Sequence, residues 1–411
     1  MQNTLLNMMN NESIVSSENH KVLHISTIDI TITKMLMDKM KELQKLGYEV
    51  DFMSTDTGLA AEIELEGFKH IPVHISRSIH IIEDIKSILE VYKLLKNSNY
   101  DIVHTHTAKA GFIGRVAAFL AGKKIVAHTS HGLPFYKGQS TLSYHLYKWL
   151  EKTASWFSHA YFSQNVEDLK TIQKFVPKKL LTGYEGNGVP LEKLDLIPRL
   201  NDSEKTSLKK SMGLSQNEFI FLMGARMEPV KNHKMLIQAV NQMNQDLNFK
   251  VILAGEGILK QSIVDLADEL GIRNKIIFLG YTENIYNYIQ IADAVLLTSE
   301  KEGIPRIIME SMVFLKPVLA TNVLGTKELV TDSETGELVE LNDVSTLARR
   351  MSEWMEEQSQ SKLMEYGINA RKRIEDHFTE AIVAQRIHQY YETLLKIPHR
   401  NTYHEKRAET L

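Results

Sequence analysis

Short apolar runs alternate with longer amphipathic stretches along most of this chain. The runs KVLHIST (21–27), YEVDFMS (48–54), DIVHTHT (101–107), KIVAHTS (124–130) and HAYFSQ (159–164) read as buried strands. Helical patterns lie between them. One is KMLMDKMKELQKLG (34–47), which ends at Gly47, a residue suited to a helix C-cap. A polar stretch, RLNDSEKTSLKKSMGLSQNE (199–218), precedes a second series: FIFLMGA (219–225), FKVILAG (249–255), KIIFLGY (275–281), DAVLLTS (293–299) and PVLATN (317–322). Strands that alternate with helices predict βα units and a mainly parallel sheet. Two such series predict an α/β protein of two doubly wound, Rossmann-like domains, with a ligand in the cleft between them. The expected division is a mobile N-terminal extension over 1–20, a first domain over 21–205, a second over 206–379 and a polar tail over 397–411. The last periodic segment, EAIVAQRIHQYYETLLK (380–396), reads as a helix.

Bulk composition narrows the function classes. A chain of 411 residues is long enough for two separate cores, and 43% hydrophobic with 24% charged residues is ordinary for a globular protein. A formal charge of −3 argues against a nucleic-acid partner. With no cysteine, disulfides, thiolate metal sites and cysteine nucleophiles are excluded. No apolar run approaches the ~20 residues of a membrane span. The first twenty residues lack a basic segment followed by an apolar core, so the cytoplasm is the expected compartment. Residues 21–190 hold 21 Lys and Arg against 17 Asp and Glu, a balance of +4; the remainder of the chain balances at −7. The helical pattern STLSYHLYKWLEKTASWF (140–157) then has two readings. Its aromatics and lysines suit a peripheral position at the inner face of a membrane, whereas Leu142, Leu146, Trp149 and Leu150 also make an ordinary core stripe.

The chemistry concentrates at strand ends. EGIPRIIME (302–310) sets two carboxylates eight residues apart, and Pro305 sits where a helix commonly starts. Glu302 then falls in the loop at a strand's carboxyl end and Glu310 about two turns into the helix. Ligands of open α/β sheets bind at that edge, where one acid can meet a sugar and the other a ribose. In GARMEPVKNH (224–233), Arg226 and Lys231 either form a diphosphate site beside a helix start or are a solvated pair in a surface loop. Gly255 and Gly257 in LAGEGILK either let the backbone approach a ligand or serve a plain turn. In FLGY, Leu279 and Tyr281 either line a nucleotide base or end a buried strand. VAHTSHGLPFY places His128 and His131 after a strand, within reach of a sugar hydroxyl. Two histidines three apart also suit a metal, but no third ligand follows at a sensible spacing, so His128 reads as structural. His104 and His106 read as core groups. Asn187 in EGNGV offers a polar contact to the cleft. The chain has no Asp-x-Asp, so neither a metal nor another cofactor is expected, and Arg226 and Lys231 are left to neutralise any diphosphate.

Taken in order, GARMEPVK, LAGEG, FLGY, EGIPRIIME and PVLATNVLGTKELV resemble the retaining family 4 glycosyltransferases, which have the two-domain GT-B fold. The likeness runs over nearly the whole chain after residue 20. DITITKMLMDKM, HTHTAKAGFIGR and TSHGLPF look like members that build capsular, exopolysaccharide or related surface glycans. The resemblance implies a nucleotide-sugar donor, a UDP-sugar, held mainly by the second domain. In that arrangement Arg226 and Lys231 bind the diphosphate, Glu310 the ribose, and Glu302, Gly303 and Ile304 the sugar. It also implies that His131 faces that sugar, that the Thr27–Lys34 loop, with Thr27, Asp29 and Thr31, lies by a glycan or lipid-linked acceptor, and that the final helix crosses back to the first domain. Three departures stand out. HISTIDITIT (24–33) has no glycine, Leu315 stands where a glycine commonly precedes Lys-Pro, and Asn322 stands where aspartate is frequent. Two other readings remain beside transfer: a GT-B nucleotide-sugar 2-epimerase, and a sugar-nucleotide-binding subunit without activity.

Overall fold

The structure is a computed structural model that describes residues 20–76, 78, 80–135 and 139–396. Apart from His20, the expected N-terminal extension lies outside these residues, as does the polar tail. Among the described residues the chain forms two parallel sheets. The first contains β1 (Lys21–Ile28), β2 (Glu49–Thr55), β3 (Lys69–Pro72), β4 (Ile102–His106), β5 (Ile125–Ser130), β6 (Ala160–Ser163) and β7 (Leu181–Tyr184), in the order β3-β2-β1-β4-β5-β6-β7. The second contains β8 (Phe219–Gly224), β9 (Phe249–Ala254), β10 (Ile276–Gly280), β11 (Ala294–Leu297), β12 (Val318–Thr321) and β13 (Gly336–Val339), in the order β10-β9-β8-β11-β12-β13. Helices cover both faces of each sheet, so β4, β5 and β11 are buried along their whole length and read as unbroken apolar runs. All ten expected strands are present. The three not expected, β3, β7 and β13, are four-residue strands at sheet edges, where KHIP, LTGY and GELV carry little apolar signal.

Seven helices matter for the site: α1 (Met37–Lys45), α2 (Ile81–Lys96), α3 (Ala108–Leu120), α4 (Thr141–Ser155), α5 (His233–Gln242), α6 (Arg306–Val313) and α7 (Glu380–Lys396). The segment expected as a loop over 27–34 is instead the end of β1 followed by helix. Asp29–Thr31 and a π-helical turn at Ile32–Leu36 run directly into α1. Buried Ile32 and Leu36 hold those turns on the sheet. Helix α7 does cross back. Its Val383, Ala384, Ile387, Tyr391 and Leu394 join Val22, Phe52, Ile102 and Phe162 in the core of the first sheet, and each Val, Ile, Leu or Phe among them is worth about 1.5–3 kcal/mol when fully buried. The chain enters its second core early. Val189 and Leu194 already pack there, and the helix Asp202–Ser211, which spans the expected boundary at 205/206, rests on the second-domain helix Ile285–Ile291.

Helix α6 ends in a Schellman turn: the amide of Leu315 donates to Met312 O (3.1 Å) and that of Lys316 to Ser311 O (3.0 Å). This turn forces Leu315 to φ 59°, the left-handed region in which a Cβ is penalised. The absence of a glycine there is therefore a local strain, and Leu315 is 52% exposed, so its side chain returns little burial. Leu315→Gly should raise stability by about 0.5–1 kcal/mol in thermal or urea denaturation.

Candidate active site

The two domains meet along the carboxyl ends of their sheets, and residues from both sides close the seam. On the second-domain side, β8 and β11 are neighbours, so the loops that follow them converge. The Thr298 hydroxyl donates to Lys231 O (3.3 Å) and Asn232 O (3.0 Å), and the Glu300 amide to Val230 O (2.8 Å), which fixes one loop against the other. Asn232 takes a left-handed conformation (φ 47°) and caps α5 through its side chain. Between these loops Lys231 Nζ donates to Glu302 Oε1 at 2.6 Å, and Ser299 Oγ donates to the same oxygen at 2.6 Å. The second amide link, from Glu302 to Leu324 O (3.2 Å), ties this loop to the chain after β12.

Across the seam, a Cβ on Gly303 would lie 3.0 Å from His131 O. The side-chain amide of Asn187 donates to Ile304 O (3.3 Å), Gln164 donates to Asn187 Oδ1 (3.3 Å), and Lys301 Nζ donates to Leu133 O (3.1 Å). Lys231, Glu302, Gly303, Ile304, His131 and Asn187 are thus gathered in one place. His131 also ends a line of rings. Its Nε2 is 2.9 Å from His106 Nδ1, and His106 Nε2 is 2.8 Å from His24 Nδ1. Burial, with a smaller contribution from Lys39, pushes His131 down to about 4 and the other two well below their ordinary value, so all three are neutral at pH 7. A neutral imidazole has one donor and one acceptor nitrogen, so the proton position on His24 dictates which nitrogen His131 has protonated. His131 Nδ1 is buried and lies by the Gln164 side chain, without a well-formed hydrogen bond.

His24, His104 and His106 bring ring nitrogens within 4.8 Å of one another, a grouping that could hold a metal ion. Five of their six nitrogens are already engaged. His104 lies 2.6 Å from the Tyr391 hydroxyl and 2.7 Å from that of Thr129, and only His24 Nε2 lacks a partner. The cluster is a hydrogen-bonded core network that sequence spacing could not reveal, since it depends on the pairing of His24 with His104 across β1 and β4. His128 is buried, with Nδ1 2.9 Å from the Thr105 hydroxyl.

The remaining expected site residues are spread around this centre. Arg226 is exposed and paired with Glu228 at 2.7 Å. Gly255 and Gly257 back onto the Arg226 loop: a Cβ would meet Ala225 O at 2.1 Å and Met227 O at 2.4 Å. Their immediate use is loop-to-loop packing. Tyr281 is exposed after the edge strand β10, and Leu279 is half-buried within it. Glu310 is buried, its Oε1 held by Arg306 Nε (2.9 Å) and the Tyr286 hydroxyl (3.2 Å). In the first domain, strand order reverses between β1 and β4, and a cavity of about 840 Å³ opens at that switch point. Thr27, Thr31 and Thr107 line it, with the Thr27 and Thr107 hydroxyls 2.8 Å apart. Asp29 does not line it. Its carboxylate is buried and accepts from the amides of Ile30 (2.8 Å), Thr57 (2.6 Å) and Leu59 (3.0 Å), committing it to the fold.

Comparison with known proteins agrees with this architecture. A family model described as glycosyl transferase 4-like matches residues 21–165, and one described as glycosyl transferases group 1 matches residues 204–373. The chain is 29% identical, over 79% of its length and 85% of the relative's, to the UDP-Gal:α-D-GlcNAc-diphosphoundecaprenol α-1,3-galactosyltransferase of Escherichia coli. It is 24% identical to the capsular polysaccharide biosynthesis glycosyltransferase CapM of Staphylococcus aureus, over 92% of this chain and 98% of that one. The structure of Anabaena HepE in complex with UDP and glucose superposes with a TM-score of 0.76 at 20% identity, covering 91% of this chain and all of that one, which shows the same fold.

Four site-shaping residues escaped the sequence reading: Gln164, Ser299 and Lys301, described above, and Gly325. A Cβ on Gly325 would sit 1.9 Å from Gly303 O and 3.0 Å from Glu302 Cβ, with φ at 86°. Gly58 has a comparable backbone (φ 109°) but open space around it. In thermal denaturation Gly325→Ala should therefore cost on the order of 3 kcal/mol and Gly58→Ala about 1 kcal/mol, the difference measuring how tightly the Glu302 loop is seated.

Proposed function

We infer the reaction from membership: this chain belongs to the glycosyltransferases of GT-B fold, with a 4-like first domain and a group 1 second domain. We propose that it moves a sugar from a nucleotide diphosphate, a UDP-sugar, to a glycan or lipid-linked acceptor in surface-polysaccharide or glycoconjugate assembly. The Escherichia coli relative is named for a UDP-sugar donor and a diphosphoundecaprenol-linked acceptor, and the Staphylococcus relative for capsule synthesis, which supports that substrate class.

The observation that carries the proposal is the Lys231–Glu302 contact set against the His131 loop. Lys231, with Arg226, is placed to meet a diphosphate, and Glu302 holds Lys231 in place until a donor enters. When the sugar–phosphate bond breaks, negative charge grows on the leaving diphosphate; Lys231, Arg226 and the start of α5 take it up without a metal. Glu302 is freed to bind sugar hydroxyls, and neutral His131 supplies a hydrogen bond from the opposite domain. Glu310, on the helix behind, keeps the role of ribose acceptor. Transfer on this reading proceeds with retention and without a covalent enzyme intermediate. Charge stabilisation and positioning carry the catalysis, not proton exchange between the two acids.

Incubation with a panel of UDP-sugars and a diphosphate-lipid-linked saccharide should give an extended, α-linked saccharide. Conversion of donor alone would point to an epimerase instead. Lys231→Ala and Glu302→Gln should each lower turnover at least ~10²-fold while donor-free stability changes little; near-normal rates would remove both from the mechanism. EDTA should leave the rate unchanged. Because His131 sits well below its ordinary value, at about 4, it takes up no proton as pH falls through 6.5. In a rate-against-pH measurement His131 should therefore contribute no step near pH 6.5, and a fall only near its own value. A step at pH 6.5 would contradict its assigned state.

A further inference from the structure

Lys301, one residue before Glu302, reaches across the seam to the first domain, where its Nζ donates to Leu133 O at 3.1 Å. The Leu133 amide donates to Asp168 Oδ2 at 3.1 Å, and Asn165 Nδ2 donates to that same oxygen at 2.9 Å. Leu133 is therefore gripped by its carbonyl from the second domain and by its amide from the first. Its side chain joins Phe135, Tyr161 and Ile172 in a small buried cluster. His131 stands two residues earlier. The link between them is Gly132, at φ 130° with open space where a Cβ would be. A glycine with nothing packed against it is a free joint, so the placement of His131 depends on what holds its neighbours. One residue after Leu133, Pro134 lines the 840 Å³ cavity. The segment 131–134 thus runs from the seam to the cavity, and Lys301 holds its middle.

We propose that Lys301 is a positioning residue: through its hold on the Leu133 carbonyl it sets His131 against the Glu302 loop and, with it, the Pro134 wall of the cavity. Three observations separate this from an ordinary surface hydrogen bond. First, the Lys301 side chain is half-buried, and burial lowers its ammonium below the ordinary lysine value, with Asp168 opposing. A lysine that only covered surface would keep its head in water. Second, the contact has a counterpart. On the other side of Glu302, Ile304 O accepts from Asn187 of the first domain at 3.3 Å, so residues 302 and 303 are strung between two hydrogen bonds that cross the seam. Third, the two loops touch directly, since a Cβ on Gly303 would lie 3.0 Å from His131 O. A shift at Lys301 therefore moves Glu302 and His131 relative to each other. The groups assigned to the donor, Lys231, Arg226 and Glu310, keep their own partners without Lys301. Its loss should thus act on the rate and on the acceptor side, leaving donor affinity in place. That consequence rests on the proposed reaction; the hold on segment 131–134 does not.

Lys301→Met keeps the length of the side chain and removes its donors. Hydrogen–deuterium exchange reads the hold itself, whatever the reaction. In the full chain without substrate, the amides of His131, Gly132 and Leu133 should exchange at least ~10-fold faster in Lys301→Met, while those of β8 stay as in the wild type. In the transfer assay the same variant should lower kcat at least ~10-fold and raise the acceptor KM, with the donor KM within about twofold of wild type and the melting temperature unchanged. Lys301→Arg, which still reaches the carbonyl, should recover most of the rate. Should the Met variant fold poorly, Lys301→Gln, whose head falls short of Leu133, is expected to give the same readings. Asp168→Asn loosens the Leu133 amide from the other side and should also speed exchange. Combined with Lys301→Met it should cost less than the product of the two separate effects, because both act through one residue. Unchanged exchange over 131–133 in Lys301→Met would overturn the proposal, and so would a full rate in that variant. A donor KM raised at least ~10-fold at unchanged kcat would overturn it as well, by making Lys301 a donor ligand. Faster exchange in the variant, with no transfer by the wild type, would uphold the hold and defeat the proposed reaction instead.

Discussion

The first domain and its share of the cleft depend on one buried ion pair. Lys39 of α1 and Glu185, just after β7, are both fully removed from solvent and lie 2.6 Å apart. Removing either ion from water costs several kcal/mol, which only close pairing and further hydrogen bonds offset. Burial alone would push both groups toward neutrality; their mutual attraction outweighs it, raising Lys39 and lowering Glu185, so the pair is charged. The second carboxylate oxygen accepts the Thr129 hydroxyl, Thr129 meets His104, and His104 meets Tyr391 of α7. The backbone carbonyl of Glu185 accepts from Arg386, also on α7, at 3.3 Å. Five elements, α1, β4, β5, β7 and α7, must therefore be in register before either charge is tolerable. Two residues beyond Glu185, Asn187 reaches the Glu302 loop, so the same register positions the seam.

The pair contributes only secondarily to the electrostatics of the cleft, and its two charges act in opposite directions on His24 and His131. Burial is the main reason that His24, His104, His106 and His131 are neutral, and the nearby Lys39 ammonium adds to it in every case. The carboxyl edge of the first sheet accordingly presents uncharged rings, and the cations at the opening, Lys231 and Arg226, stand on the second-domain side. Both cations are paired within their own domain, Lys231 with Glu302 and Arg226 with Glu228.

Much of this was legible in the sequence because central strands of a covered parallel sheet are apolar on both faces. Edge strands such as β3 and β7 need no such run, and their short segments carried no signal. The sequence says that Lys231 and Glu302 each follow a strand, but that β8 neighbours β11 is not legible in it, so only the family resemblance set the two residues in one site. Gly325 lay beyond both: its constraint is a contact with the backbone of Gly303, visible only once both loops are folded. The histidine line depends on which face of β1 and β4 each ring takes, and alternation along a strand does not say which face is inside. Periodicity failed similarly for α4. It located a stripe at Leu142, Leu146 and Trp149, all three exposed, but not the side of the helix that the domain would cover. Leu315 marked itself by departing from glycine, and its left-handed backbone supplies the physical meaning of that departure.

The crossing of α7 has a consequence for how the protein is made. Val383, Ala384, Ile387, Tyr391 and Leu394 complete the core that β1 begins. On the ribosome, residues 21–190 therefore emerge with an apolar face uncovered and with Lys39 and Glu185 still reachable by water. That state persists while the whole second domain is synthesised, and it ends only when residues 380–396 leave the exit tunnel. Domains ordinarily fold in the order of synthesis. Here the first domain to be translated is the last to close, because its core is completed by α7, the last described helix.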